Sequence, residues 1–158
     1  MRAVRFSCAM SLDGYIAAPD GGYDWIVMDP EIDFTELFAK YDAMLMGRKS
    51  YDAAKGGDYA PDVTVSNDPK ETIKELKAAP GKDIWLWGGG ELFRSLLELK
   101  LVDELEIALI PVLLGDGLPL LPTTKTRVSL VLKKEKHLKK TGTVMLNYDV
   151  AYSGRSRR

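Results

Sequence analysis

Two short segments of this chain hold residue types that can grip a phosphate-bearing ligand. In Gly47-Arg48-Lys49-Ser50 a glycine frees the backbone to turn, two cations follow, and a hydroxyl donor closes the run. Placed where a strand passes into a helix, free N–H groups and the positive end of the helix dipole favour an anion there. The segment is not a P-loop, because the position five residues before Gly47 is Asp42 rather than glycine. The competing reading is a plain helix start with solvated basic residues. In Trp87-Gly88-Gly89-Gly90-Glu91 three successive glycines follow an apolar run. With no side chains in the way, a planar or phosphate-bearing ligand can approach the main chain directly. The spacing is not G-x-G-x-x-G, and about twenty positions further on stand Leu109, Ile110 and Pro111 rather than an acid. A Rossmann-type site is therefore disfavoured. The competing reading here is a tight turn with Glu91 complementing a helix N-terminus. Two such segments on neighbouring strand ends support each other, because open α/β sheets bind ligands at the carboxyl ends of their parallel strands.

Other chemistries lack their residues. The chain has one cysteine, Cys8, in an apolar alternation, so no internal disulfide forms and a reducing compartment is expected. A small buried hydrophobe is the simplest reading of that thiol. The one histidine, His137, sits among lysines, so a Cys/His metal site is not available and no metal is expected. The net charge of −1 gives no global field for nucleic acid or an acidic membrane. Lys133 to Lys140, with Glu135 mixed in, continues an alternating apolar pattern and reads as a solvated strand end. The basic tail, residues 153–158 with Arg155-Ser156-Arg157-Arg158, reads as a disordered terminus. No apolar run reaches membrane-spanning length, and Met1-Arg2-Ala3-Val4-Arg5 leads into a strand rather than a signal sequence. Neither a membrane nor a nucleic-acid partner is expected, and the expected location is the cytoplasm.

The elements that must position the two segments follow from hydrophobic periodicity. Val4, Phe6, Cys8 and Met10 recur at period two and predict a first strand. A long polar loop with Asp13-Gly14 and Asp20-Gly21-Gly22 follows. Asp29-Pro30-Glu31 predicts a helix start, with Phe34, Leu37 and Phe38 on its buried face. Ala43 to Met46 is a short strand ending at Gly47, and Arg48 to Ala54 a short helix. After the strand Val63-Thr64-Val65, Asp68-Pro69-Lys70-Glu71 predicts a helix by its cap, its proline and its third-position glutamate, running to about Ala79. Ile84-Trp85-Leu86-Trp87 is apolar throughout, as a strand covered on both faces is. Glu91 to Leu99 then places Leu92, Phe93, Leu96 and Leu97 inward. Beyond it Leu105/Ile107/Leu109, Val128/Leu130/Leu132 and Val144 to Tyr152 alternate, the last two joined through Lys140-Thr141-Gly142-Thr143. The chain opens with βαβ units and closes with antiparallel strands. It is read as one domain over residues 1–152: a three-layer α/β/α sandwich with a mainly parallel central sheet and an antiparallel C-terminal edge. The apolar strand around Leu146 to Tyr152 is read as that edge, in need of a partner.

Four segments in this order resemble the dihydrofolate-reductase-like superfamily, in particular the reductase domain of the bifunctional riboflavin-biosynthesis deaminase/reductase. They are the run from Ala9 to Ala17 (Ala-Met-Ser-Leu-Asp-Gly-Tyr-Ile-Ala), Met46 to Tyr51, Ile84 to Leu92, and Leu101 to Leu105 leading to Pro111 to Gly117. The resemblance implies an NADPH-dependent reductase, as a rule homodimeric, that passes a hydride to a pterin, a pyrimidine of riboflavin biosynthesis or another small heterocycle. It implies that Gly47, Arg48, Lys49 and Ser50 hold the adenosine-side phosphates. Gly88, Gly89, Gly90, Glu91 and Leu92 would pass beneath the pyrophosphate and nicotinamide half, with Ala9 and Ile16 flanking the nicotinamide. The loop from Leu12 to Trp25 would cover the site, with Gly14, Gly21 and Gly22 as hinges, and exclude water from a hydride in transit. The cofactor supplies the hydride, and the protein supplies position and a proton. Counting back from Gly47 puts Glu31 at the family's substrate-binding carboxylate, with Asp33 its neighbour and Asp13 on the lid the alternative. For all three the plain reading is a solvated loop or helix-start acid. Trp25 either covers the substrate or anchors the lid.

One departure stands out. Between the helix at Arg48 and the strand at Val63 the family has a further strand ending in a Ser-Arg-Thr-like turn that contacts the cofactor's extra phosphate. Here the interval Asp52 to Asp62 carries no strand pattern and no arginine. Either the strand is lost or its residues are missing from the sequence. Loss leaves Arg48 and Lys49 to make the phosphate contact alone, and favours the rival reading of a non-catalytic dimeric nucleotide-binding module that kept the fold.

Overall fold

A computed structural model describes residues 1–53 and 62–152. The interval expected to lack a strand, from Lys55 up to Asp62, and the basic tail at 153–158 lie outside the described residues, apart from Asp62 itself.

The centre of the molecule is a seven-stranded sheet in the order β4-β3-β5-β1-β6-β9-β8. Its first strand, β1 (Val4–Ser11), lies in the middle, parallel to both β5 (Asp83–Gly88) and β6 (Glu104–Ile110). The strand β3 (Tyr41–Met46) runs parallel to β5 on one side and to β4 (Asp62–Val65) on the other. Past β6 the sheet turns antiparallel through β9 (Val144–Ala151) and β8 (Ser129–His137). This is the expected mainly parallel sheet with an antiparallel C-terminal side. A separate two-stranded piece, β2 (Tyr15–Ala17) with β7 (Leu118–Pro119), was not legible in the sequence. The terminal edge also differs from expectation: β9 is interior, and the free edge is β8.

Period-two alternation sends each strand's side chains to two faces, and each face has its own core. On one, Val4, Phe6, Ile84, Leu86, Leu105 and Ile107 pack against Ile73 of α3 (Pro69–Ala78) and Phe93, Leu96 and Leu97 of α4 (Gly90–Glu98). Phe6 and Phe93 stack with centroids 4.2 Å apart. On the other, Tyr41, Met44, Met46 and Trp85 pack with Leu37 of α1 (Phe34–Ala39), Tyr51 of α2 (Arg48–Ala53) and Trp87. Helices on both faces complete the sandwich. The apolar run Ile84 to Trp87 of β5 is covered on both sides as its composition requires.

The cap of α3 follows the sequence: the Asp68 carboxylate accepts the Glu71 N–H at 3.1 Å and Pro69 opens the helix. The start of α1 does not. The helix begins at Phe34, capped by Asp33, whose Oδ1 accepts the Glu36 N–H. Asp29, expected as the cap, is 2% exposed. Its oxygens are already committed, one to the Glu31 N–H at 2.8 Å and one to the Thr141 hydroxyl at 2.6 Å. That commitment makes residues 29–32 a turn and moves the helix start four residues on. Among the described residues no helix is long and apolar enough to cross a membrane.

Candidate functional site

β3 and β5 are parallel neighbours, so their carboxyl tips emerge side by side. The Gly47 N–H donates to the Gly88 carbonyl at 3.3 Å, just past the register pair Met46/Gly88. A Cβ added to Gly89 would lie 3.7 Å from Ser50 Oγ, and one added to Gly47 would lie 3.9 Å from both the Gly88 carbonyl and Leu92. The two candidate segments, Gly47 to Ser50 and Gly88 to Leu92, thus lie in contact where α2 and α4 begin. Arg48 and Lys49 are exposed, while Glu91 is engaged by Arg94. Two glycines here are fixed by geometry. Gly88 has φ +118°, and a Cβ on Gly90 would come within 2.9 Å of the Pro119 carbonyl. The Gly88–Gly89 peptide is cis.

An aromatic cluster packs on the α1 face of β3 and β5. Trp87 precedes Gly88 directly and lies 5.1 Å from Trp85, whose ring is 5.4 Å from Phe38 and 5.3 Å from Tyr41. Phe38 lies 6.1 Å from Phe34 on α1. Ala9 sits half-buried in β1 opposite Ala108, and Ile16 half-buried in β2, which packs against β1.

The predicted lid is partly tethered. Leu12 N–H donates to the Val112 carbonyl and Leu120 N–H to the Gly14 carbonyl, both at 2.9 Å. Asp13 is the tether's centre. Its Oδ1 accepts from the Ser11 hydroxyl at 2.6 Å and the Leu114 N–H at 3.1 Å, and its Oδ2 from the Gly115 N–H at 2.8 Å. The Ser11 hydroxyl, then the Gly115 amide, hold the Asp13 carboxyl below the usual carboxylate range. It is therefore an anchored anion at neutral pH. Further along, Trp25 is half-buried and its Nε1–H donates to the Gly22 carbonyl at 3.2 Å, folding the loop tip on itself.

Glu31 has different neighbours. It is 42% exposed and its Oε2 lies 3.7 Å from Lys136 Nζ on β8. It lines a cleft of about 190 Å³ between α1 and the β8–β9 hairpin, together with Glu36, Lys40, Glu106 and Asn147. Asp33 lines it too, with one oxygen taken by the α1 cap. The structure thus brings the two glycine-bearing segments together, but gives the candidate acids Asp13 and Glu31 separate partners. Sequence reasoning missed the cleft's floor, Glu106 and Asn147. Both sit in strands that read as apolar alternations, and only their polar identity at every second position could have marked them. Among the described residues no group of His, Cys, Asp and Glu is arranged to hold a metal ion.

Comparison with known proteins bears on this geometry. The profile of the RibD C-terminal domain family matches residues 2–60 and 49–146. The two stretches overlap at 49–60. The uncharacterised protein YyaP of Bacillus subtilis (strain 168) is 31% identical over 180 aligned residues, covering 93% of this chain and 94% of that protein. A Shewanella sp. PV-4 protein provisionally assigned to riboflavin biosynthesis superposes with a TM-score of 0.79 at 25% identity, covering 95% of this chain and 99% of that one. Dihydrofolate reductase from Enterococcus faecalis, complexed with NADP(H), superposes with a TM-score of 0.62 at 15% identity, covering 94% of this chain and 96% of that one, a likeness of fold.

Proposed function

Because this chain belongs to the RibD C-terminal domain family, we propose that it is an NADPH-dependent reductase that passes a hydride to a small conjugated heterocycle, a pterin or a pyrimidine of the riboflavin type. One observation carries the reading: Gly47 and Ser50 meet Gly88 and Gly89 at adjoining carboxyl tips of neighbouring parallel strands. The residues fit a dinucleotide. Arg48, Lys49 and Ser50 supply cations and a hydroxyl at one tip, and Gly89, whose Cβ position has only Ser50 Oγ near it, supplies a close backbone approach at the other, with Glu91 and Leu92 entering α4 behind it.

NADPH, when bound, supplies the hydride. The chain's own residues supply the rest. Ala9 and Ile16 border the ring end, and Trp87 with its aromatic neighbours excludes water and orients a flat substrate. Asp13 holds the cover in place through the 112–117 loop, and Trp25 folds over it. Of the two candidate acids we assign the proton-handling role to Glu31, whose carboxylate is free of backbone donors, and the positioning role to Asp13. A homodimer joined along β8 is part of the same proposal, since Leu130, Val131 and Leu132 are 42%, 39% and 48% exposed on a free edge.

NADPH titration followed by tryptophan fluorescence tests the reading. Saturable quenching is expected, because Trp85 and Trp87 lie next to the glycines. The double substitution Arg48→Ala with Lys49→Ala is expected to weaken NADPH about tenfold and NADH less, as loss of a charge-assisted phosphate contact does. No quenching by millimolar NADPH sinks the proposal. Binding without NADPH oxidation by any pterin or aminopyrimidine leaves the nucleotide-binding module instead.

A further inference from the structure

From Val27 to Lys40 the chain fully buries one residue, and its side chain is a carboxylate. Asp29 is 2% exposed, while Val27 and Met28 before it are 55% and 60% exposed and α1 after it has no buried residue. Apolar packing therefore does not fix this stretch. Its C-terminal end is joined to the body by Phe38 on Trp85 and by the Lys82 ammonium, which donates to the Ala39 carbonyl at 3.0 Å. Its N-terminal end is held through Asp29. Asp29 Oδ1 accepts the Glu31 N–H at 2.8 Å, and the Asp29 carbonyl accepts the Ile32 N–H at 3.1 Å. A turn of that kind needs one carboxylate oxygen and forms readily at a surface. Here the second oxygen accepts from the Thr141 hydroxyl at 2.6 Å, across on the β8–β9 hairpin. The Thr141 hydroxyl, then the Glu31 amide, hold the Asp29 carboxyl below the usual carboxylate range, and Lys140 and Lys136 add attraction. Thr141 has a firm seat. Its hydroxyl lies 3.0 Å from that of Thr143, and the turn closes through the Leu138 N–H on the Thr143 carbonyl at 2.8 Å, with both residues 1% exposed. The two partners stand on opposite walls of one cleft: Glu31, Ile32 and Leu37 line it from the α1 side, and Lys136, Leu138 and Met145 from the hairpin side.

We propose that Asp29 and Thr141 form a latch that positions Glu31 and sets the separation of the two walls. A hydrogen bond to an ionised carboxylate is short and directional, so it fixes place and orientation where apolar contact fixes only proximity. Glu31 takes its place from the latch directly, because its own amide is one of the Asp29 donors. Its side chain otherwise meets Lys136 at 3.7 Å, a loose and half-exposed pair. With the latch open, residues 29–36 lose their one buried anchor and swing as a flap about the Phe38 end. Asp29 and Thr141 are thus positioning residues that act through Glu31. That role rests on the reductase reading, in which Glu31 handles the proton; the latch itself rests on its hydrogen bonds and burial alone.

Thr141→Val keeps the shape and removes the hydroxyl, and Thr141→Ser keeps the hydroxyl. Amide hydrogen exchange by NMR reads the latch. In Thr141→Val the Glu31 and Ile32 amides are expected to exchange about tenfold faster, as after loss of a bond to a charged group, with Leu138 and Gly142 unchanged. Thr141→Ser is expected to match wild type. Steady-state NADPH oxidation reads the positioning role: in Thr141→Val kcat should fall about tenfold with KM for NADPH unchanged, and Thr141→Ser should restore it. Unchanged Glu31 exchange in Thr141→Val overturns the latch. So does an equal rise throughout the chain, which reports lost global stability, or a serine variant that behaves like the valine one. Faster Glu31 exchange with unchanged kcat overturns the positioning role. Should Thr141→Val lack a cooperative thermal transition, wild type decides: its Thr141 hydroxyl proton should be slow enough to observe by NMR, and exchange at the rate of a free threonine overturns the latch. Wild-type protein with a protected Glu31 amide and no NADPH oxidation defeats the reductase reading alone.

Discussion

Asp13 shows how a single carboxylate can organise a site without performing its chemistry. Three donors from two segments a hundred residues apart in the chain converge on it. Its pKa is lowered on folding, so the stabilisation is present above the unfolded value of about 4 and is lost as the pH falls through the lower folded value. Asp13→Asn should remove that acid sensitivity and speed hydrogen exchange at the Leu114 and Gly115 amides about tenfold at neutral pH, measured by NMR. Unchanged exchange would show that the loop is held by Leu12 and Leu120 instead. Cys8 makes the opposite case, since burial pushes its thiol up to about 12. It should stay unmodified by a maleimide at pH 8 in the folded protein and react in denaturant, as an inert packing residue does.

At the scale of elements, legibility followed how local the signal was. The cap at Asp68 and the apolar run of β5 were readable because each is decided within a few residues. The start of α1 was not, because Thr141 competes for Asp29 from 112 positions away, and no helix signal in residues 29–34 reports on that competitor. The edge was misread for a related reason. Val144 to Tyr152 and Val128 to Leu132 alternate alike, and only pairing with β6 makes β9 interior. The glycine segments were visible as composition, yet their meeting depends on β3 and β5 being neighbours. The cleft floor was invisible because Glu106 and Asn147 gain meaning only from cross-strand register. Packing of α4 is the element-level test. Phe93 is 2% exposed and stacked on Phe6, so Phe93→Ala should cost about 3–5 kcal/mol and lower Tm by roughly 10 °C in a thermal melt. A loss under 1 kcal/mol would mean that the face rearranges freely.

For the whole molecule, a row of charges crosses the sheet on the α1 face. Asp83 meets Arg5 at 2.7 Å, Arg5 meets Glu104 at 3.2 Å, and Lys133 reaches Glu104 at 3.1 Å and Asp149 at 3.3 Å. It links β5, β1, β6, β9 and β8, and beside it Leu130, Val131 and Leu132 of β8 stand exposed at the sheet edge. Sedimentation should give a dimer that Val131→Lys with Leu132→Lys converts to monomer; a wild-type monomer at tens of micromolar would remove the homodimer from the proposed function. The placement of β1 has a consequence for how the chain comes into being. Of the strands of this sheet, the one translated first lies in the middle, and its partners at Ile84 and Glu104 leave the ribosome some eighty and a hundred residues later. Until then Val4 and Phe6 have nothing to cover them, so a nascent chain stalled before β6 should be a ready client for a chaperone.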